Sequence, residues 1–534
     1  MAKWLLTGLF LLMGAQPALA VSGVRFEISY PEVVRAEPVT GRVYLALSRN
    51  AGGQPIHEAG PTGVPLFGIN VEHLRPGSPA VIDGSVFGHP LASLNDLPAG
   101  EYTVQAFINI YTRFNRADGH TVWLHMDQWE GQNWRRSPGN LFSMPQRVAI
   151  SDTGRDPIRL VCDQALPPIS PMPDTEYVKR IKFRSEILSK WWGQPIFMGA
   201  TVLLPKDYDK HPEARYPVNY IQGHFSTRAP GGFGDGGSFD RAWLAEDTPR
   251  FIFVTFQHPS PYYDDSYAVN SENNGPYGDA IMRELIPMVE NRFRVIREPW
   301  ARKLSGGSTG GWEALALQVF HPDFFGGSWA SCPDPVDFRG CQIVDIYGDT
   351  NAYWIDRAWT RIERPNRRRP DGSIVEMMKD ENWFELVVGD RSRSGGQWDI
   401  WEATFSPVGP DGYPKRIWDK KTGVIDREVA AYWREHFDLR HILEQRWKEL
   451  GPKLVGKLHI YVGDMDSYYL NNAVGLIERF LERTAEPAYE GSVTYARLKP
   501  HCWGPSSGEL LNLMAAHCEK YAPKGADLRS WRYR

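Results

Sequence analysis

The chain has 534 residues, too many for one ordinary hydrophobic core, so two or more folded units are expected. Its composition, 42% hydrophobic and 23% charged, is that of a soluble globular protein. The net charge of −4 offers no basic face of the kind a nucleic-acid binder needs.

In chain order, residues 1–20 read as a signal peptide. "MAKWLLTGLFLLMGAQPALA" has a positive start at Lys3, an apolar run from Trp4 to Met13 and a small-x-small cleavage signal at Ala18-Leu19-Ala20. The run is too short to span a bilayer, and no later stretch is long and apolar enough to do so. An exported protein, periplasmic or secreted, is the expectation. Export permits disulfides. Cys332 with Cys341 and Cys502 with Cys518 are the local pairings, with Cys162 left over; buried free thiols are the alternative.

Residues 21–164 carry short β-like runs, among them "GVRFEISY", "GRVYLALS" and "GEYTVQAFINIY", with turns between them and no long amphipathic helix. That spacing predicts a β-sandwich domain. Residues 165–177, opening with "ALPPISPMPD", read as a proline-rich linker. From 178 to 534, strand-like and helix-like stretches alternate, which points to an α/β unit with a largely parallel sheet. "PVNYIQ" (217–222) and "FIFVTF" (251–256) have the continuous apolar character of buried parallel strands.

"WARKLS" (300–305) then runs into "GGSTG" and the helix-forming "GWEALALQVF" (311–320), so Ser308 sits at a strand–turn–helix junction. Gly306-Gly307-Ser308-Thr309-Gly310 matches G-x-S-x-G, a nucleophile elbow whose serine projects above the sheet and whose flanking side chains must be absent. The helix that follows directs its positive end at the site, and the Thr309 amide is the first oxyanion donor. Gly504-Pro505-Ser506-Ser507-Gly508 matches the same pattern. Chain order separates the two, because an acid and then a histidine must follow the serine. After Ser506 the histidine, His517, precedes the aspartate, Asp527. After Ser308, "KLHIYVGDMDSYYLNN" places Asp464 and Asp466 beyond one strand, and "SVTYARLKPHCWG" places His501 beyond the next. A serine, an acid and a histidine so ordered form a triad in which histidine takes the serine proton and the aspartate fixes its tautomer. Either aspartate could instead cap the following helix.

Residues 178–520 resemble the putative esterase family of α/β-hydrolases, which includes enterochelin-esterase-like proteins, feruloyl esterases, S-formylglutathione hydrolases and mycolyltransferases. The motifs that carry the resemblance are "ATVLLPKDYDKHPEARYPVNYIQGHF", "SYAVNSENNGPYGDAIMRELIPMVENRFRV" and "LSGGSTGGWEALALQVFHPDFFGGSWASCP". It implies an α/β-hydrolase catalytic domain and an acid three residues after the glycine that ends the strand. That glycine is Gly463, which favours Asp466 over Asp464. The usual oxyanion loop reads H-G-G, whereas this chain has Gln222-Gly223-His224-Phe225, so an amide of His224 or Phe225 is the second donor. His224 itself is expected to be a wall residue, since the family's base lies near the C-terminus.

A second departure is an insertion at about 334–452. It holds Trp354, Trp359, Trp383, Trp398, Trp401, Trp418, Trp433 and Trp447. These form either the insertion's own core or a lid over an aromatic or sugar-binding cleft. "RIERPNRRRP" (361–370) is either a solvated loop or a site for a substrate carboxylate. His436 and His441 are poorly spaced for a metal, Asp464-Met465-Asp466 lacks the other ligands of a calcium loop, and there is no P-loop or dinucleotide fingerprint, so no cofactor or metal is expected. The whole reads as an exported serine hydrolase of small-molecule or glycan-linked carboxylic esters. The alternatives are acyl transfer on the same triad and a non-catalytic ligand-binding protein on a hydrolase fold.

Overall fold

In a computed structural model, residues 23–151 and 156–533 are described. The segment read as a signal peptide, 1–20, lies outside them. Among the described residues no helix is long and apolar enough to cross a membrane.

The fold is that of an α/β-hydrolase, and its central sheet is built from eight strands of the second half of the chain. In chain order these are β1 (Val178–Ser185), β2 (Ile196–Leu203), β3 (Val218–Gln222), β4 (Ile252–Gln257), β5 (Arg302–Gly307), β6 (Ser328–Ser331), β7 (Leu458–Gly463) and β8 (Ser492–Ala496). They lie in the order β1-β2-β4-β3-β5-β6-β7-β8. The first two pairings, β1 with β2 and β2 with β4, are antiparallel. The others are parallel, so the C-terminal ends of β3, β5, β6, β7 and β8 all open on one edge. Ligand sites of open α/β sheets lie beyond that edge. Helices cover both faces of the sheet, so its central strands are buried without alternation, as for β3 and β5, although β5 carries Arg302, Lys303 and Ser305.

Helix α1 (Thr309–Phe320) follows β5 and is buried over almost its whole surface, which suits its all-round apolar sequence. Between β6 and β7, residues 334–452 form two small hairpins and several helices, among them α2 (Met378–Val388) and α3 (Gln397–Phe405). Their tryptophans join the core of the hydrolase unit rather than a separate one. Trp398, Trp401, Trp418 and Trp433 are essentially inaccessible and belong to the same apolar cluster as Trp312 and Leu315 of α1. Trp359 is the opposite case, 95% exposed at a hairpin tip.

One buried charge cluster fixes how α2 and α3 meet. Lys420 Nζ lies 2.9 Å from Glu385 Oε2 and 3.0 Å from Asp399 Oδ1. The Glu385 carboxylate also accepts the Trp398 and Asp399 amides (2.9 and 3.0 Å) at the N-terminus of α3, where a negative charge is favoured.

Residues 23–165 form a three-stranded sheet and an eight-stranded sheet that share one apolar cluster, with Phe26 and Ile28 from one meeting Val43, Leu45 and Val104 from the other. This region is fastened to α2. Arg42 Nε donates to the Val387 carbonyl (2.8 Å) and Tyr44 OH to the Val388 carbonyl (2.6 Å), so the free carbonyls ending α2 are satisfied by the N-terminal sheet. Phe114, Val122 and Leu124 reach the core of the hydrolase unit. Residues 167–175, between the two regions, run exposed without regular structure.

Candidate active site

The turn after β5 shows why four glycines surround one serine. A Cβ on Gly306 would stand 2.2 Å from the Gly310 carbonyl oxygen, and one on Gly310 would stand 2.2 Å from that of Gln222. Neither gap admits a side chain. Ser308 has φ 57° and ψ −124°, a conformation costly for a residue with a Cβ. It is held there from both sides: its amide donates to the Ser331 carbonyl (3.0 Å), and its own carbonyl accepts the Trp312 amide (3.1 Å).

Ser308 Oγ lies 3.0 Å from His501 Nε2, and His501 Nδ1 lies 2.8 Å from Asp466 Oδ2. The three side chains come from the ends of β5, β7 and β8. Asp466 is fully buried, and its other oxygen accepts the Tyr468 and Leu470 amides (2.9 and 3.2 Å), which fixes the carboxylate. Asp464 lies elsewhere: its Oδ1 accepts the Leu498 amide at 2.6 Å and braces the loop leading to His501. Burial would lower the basicity of His501, but the Asp466 and Cys502 partners outweigh it and push the imidazole up to about 10.

Of the residues read as oxyanion donors, Thr309 is buried at the first position of α1. His224 and Phe225 follow β3. The His224 imidazole borders the cavity, with Nδ1 3.0 Å from Asp264 and 3.3 Å from Asp265. Burial alone would lower its pKa, yet the two carboxylates raise it to about 12. The Phe225 ring turns to Trp129 of the N-terminal region, ring centroids 5.0 Å apart. Ser506 is an exposed helix cap whose hydroxyl accepts the Glu509 amide in a reciprocal capping box.

The site contains residues the sequence reading passed over. Asp334, just beyond β6, puts Oδ1 3.3 Å from Ser308 Oγ. Its Oδ2 accepts from Tyr267 OH (2.5 Å), Thr309 Oγ1 (3.1 Å), Gln397 Nε2 (3.2 Å) and Trp401 Nε1 (3.4 Å). One carboxylate thereby ties the elbow to α3. Burial raises its pKa against the Tyr267 hydrogen bond. Position after a strand next to the elbow was the available signal; no motif marks it.

Within "RIERPNRRRP" the arginines divide their roles. Arg364 is buried against Asp349 (2.8 Å). Arg368 donates to the carbonyls of Asp466 (3.0 Å) and Asp464 (3.4 Å), bracing their loop from outside. Arg367 stands over the Tyr468 ring and borders the cavity. The cavity, about 500 Å³, is walled by Ser308, His501, His224, Asp334, Arg367 and Trp398 among others.

The cysteines do not follow the local pairings. Cys332 Sγ lies 2.7 Å from Cys502 Sγ, while Cys518 Sγ rests on the Trp300 carbonyl (3.5 Å) and Cys341 is buried. Among the described residues two groups bring donor atoms within 4.8 Å of one another, Cys332/His501/Cys502 and His224/Asp264/Asp265. In each the histidine is already engaged, His501 by Ser308 and Asp466 and His224 by its two carboxylates.

Solved structures similar to this chain include a ferulic acid esterase (15% identity, 64% of this chain and 96% of that one, TM-score 0.36). The fluorophosphonate-binding serine hydrolase FphF of Staphylococcus aureus (14%, 63% and 97%, 0.36) and an S-formylglutathione hydrolase from Agrobacterium tumefaciens (12%, 65% and 97%, 0.36) are similar to the same extent. No curated protein matches the sequence. The family model described as putative esterase matches residues 197–438, a span that holds His224 and Ser308 and ends before Asp466 and His501. That match places residues 197–438 of the chain in the putative esterase family.

Proposed function

We propose that the protein is an exported serine hydrolase that cleaves carboxylic esters, small or glycan-linked, through an acyl-enzyme. The observation that carries this reading is the unbroken row Ser308 Oγ–His501 Nε2–His501 Nδ1–Asp466, at 3.0 and 2.8 Å. Ser308 attacks the acyl carbon and its proton passes to His501 Nε2. Asp466 keeps the histidine tautomer that presents Nε2 as acceptor and supports the imidazolium that forms. The oxyanion is held by the Thr309 amide and an amide of His224 or Phe225, at the positive end of α1. The alcohol leaves with the proton from His501. Water then attacks the acyl carbon with the same help, releasing the acid and restoring Ser308. No step calls for a cofactor.

The N-terminal region, read as a sandwich domain over 21–164, and the insertion at 334–452, read as a lid, supply substrate selection. Support comes from α3, which lends Gln397, Trp398 and Trp401 to the cavity wall, and from the N-terminal sheet, which fastens the end of α2. The test is a panel of acetyl, aryl and sugar esters with both products quantified. Acid and alcohol should appear in equal amounts with at least one ester; no hydrolysis across the panel overturns the reading.

A further inference from the structure

We propose that Cys332 and Cys502 form a disulfide bond that ties the loop carrying His501 to the strand end supporting Ser308.

The two sulfurs are 2.7 Å apart although the residues are 170 positions apart in the chain. A shift of less than about 1 Å brings them to covalent distance. A second observation is independent of that gap. Cys332 has φ 40° and Cys502 has φ 59°, both in the left-handed region that residues with a Cβ avoid. Strained backbone persists only where its surroundings impose it, and here it occurs at both ends of one sulfur contact. Cys502 is exposed and Cys332 buried, so a disulfide donor can reach the first and the second can resolve the exchange. Cys162, Cys341 and Cys518 are all buried, and no hydrogen bond or ring contact joins any of them to this pair.

The step is thiol–disulfide exchange with a donor of the disulfide class, such as oxidised glutathione. The Cys502 thiolate attacks one donor sulfur and expels the other as thiolate. Cys332, losing its proton, then attacks Cys502 Sγ and expels the second donor thiolate. Two electrons and two protons pass to the donor, and one S–S bond forms. Cys332 and His501 support the first step by holding the Cys502 thiol down to about 6, even against burial.

The bridge lies at the centre of the site. The Ser331 carbonyl that anchors the Ser308 amide immediately precedes Cys332, and His501 immediately precedes Cys502. A Cβ on Gly307 would touch Cys502 Sγ at 3.2 Å, so the sulfur packs on the elbow itself. Bridging also changes the charge beside His501. The groups facing that imidazole are Asp466, Ser308, Asp334, Cys502 and the Tyr468 ring with Arg367 above it. Of these only the Cys502 thiolate disappears on oxidation. Without it the imidazolium is less favoured, and His501 is freer to accept the Ser308 proton. This consequence rests on the reading of His501 as the base; the bridge does not.

The experiment uses the full chain incubated with oxidised glutathione, denatured, alkylated with iodoacetamide and mapped by mass spectrometry. Three of the five cysteines should be alkylated, and a peptide pair joined through Cys332 and Cys502 should part on reduction. Five alkylated cysteines, or a bridge between Cys332 and Cys341 or between Cys502 and Cys518, overturns the proposal. Hydrolysis of an aryl ester by native protein should fall at least fivefold when a phosphine reduces the bridge and recover on reoxidation. Cys332→Ser, which keeps the Cys502 thiol, should match the reduced enzyme and ignore the phosphine. A mapped bridge whose reduction leaves hydrolysis unchanged keeps the disulfide and overturns its effect on His501.

Discussion

The chain contains two G-x-S-x-G segments, and the structure puts them to opposite uses. Gly306–Gly310 turns from the central strand β5 into the buried α1, with Ser308 strained at φ 57°. Gly504–Gly508 turns from a surface loop into α4 (Ser507–Tyr521), with Ser506 relaxed at φ −60°, ψ 158° and exposed. The residues agree and the backbones do not. What the motif means depends on what precedes it: a parallel strand with neighbours on both sides forces a sharp turn, whereas a loop lets the serine settle as a helix cap.

The largest break between the two should come from removing each hydroxyl. Ser308→Ala should lower kcat by a factor on the order of a million, as when a nucleophile of this type is removed, with the melting temperature preserved. Ser506→Ala should leave kcat unchanged and reduce stability by about 1 kcal/mol, the usual worth of an N-cap. Paired kinetics and thermal melts of both variants decide it; a comparable kinetic loss from both contradicts the contrast. Next in size, Asp466→Asn should lower kcat on the order of ten-thousandfold through the wrong histidine tautomer. Asp464→Asn, which touches only the loop before His501, should cost far less. Steady-state rates on one ester give the ratio, and a larger loss from Asp464→Asn reverses the assignment.

The glycines sharpen the same comparison. A Cβ at Gly310 meets the Gln222 carbonyl at 2.2 Å, while one at Gly508 meets only the Ala242 side chain at 3.7 Å, an ordinary contact. Gly310→Ala should therefore displace β3 or the elbow and sharply lower the melting temperature. Gly508→Ala should be neutral or stabilise by up to about 1 kcal/mol, because alanine is the better helix former. Equal melting temperatures would mean the elbow is looser than its geometry implies.

These contrasts also show how far the sequence could be read. Apolar runs marked β3 and β4 to within about two residues, because buried parallel strands need no partner information to be recognised, whereas β5, Arg-Lys-Leu-Ser-Gly-Gly, was placed by the glycine turn it leads into. Ser308, the pair Asp464 and Asp466, and His501 stood out because a strand end followed by a polar residue is a local pattern; the preference for Asp466 came from the family resemblance. Asp334 did not, since its role comes from Tyr267, Gln397 and Trp401, which lie more than 60 positions away in the chain. The cysteines failed for the same reason. Local spacing suggested Cys332 with Cys341, but β6 and β8 carry Cys332 and Cys502 to one point. Nor did anything in the N-terminal strands announce that Arg42 and Tyr44 would close the end of a helix some 345 residues on.

The smallest expected difference is in pH response. The Asp466 and Cys502 partners raise His501 from 6.5 to about 10 in the folded, reduced protein. Its contribution to stability is therefore complete below about pH 6.5 and is lost as pH rises toward 10. A base must be neutral to act, so kcat/KM should climb over that same window while the melting temperature drifts down. At the other segment, the Ser506 hydroxyl holds Glu509 below the usual carboxylate range, so its contribution fades only as the solution turns acid. Rates and melts between pH 4 and 10.5 on reduced protein test both. A rate already level by pH 7, or a melting temperature that rises toward pH 10, would go against the assigned role of His501.

The most direct measurement is covalent labelling with a fluorophosphonate followed by peptide mapping. A serine activated by a histidine reacts with such a probe, and an ordinary hydroxyl does not. The account predicts one label per chain on Ser308, lost in Ser308→Ala and strongly slowed in Asp466→Asn, with Ser506 unmodified. A label on Ser506 or another residue, or none on protein that melts cooperatively, would contradict it.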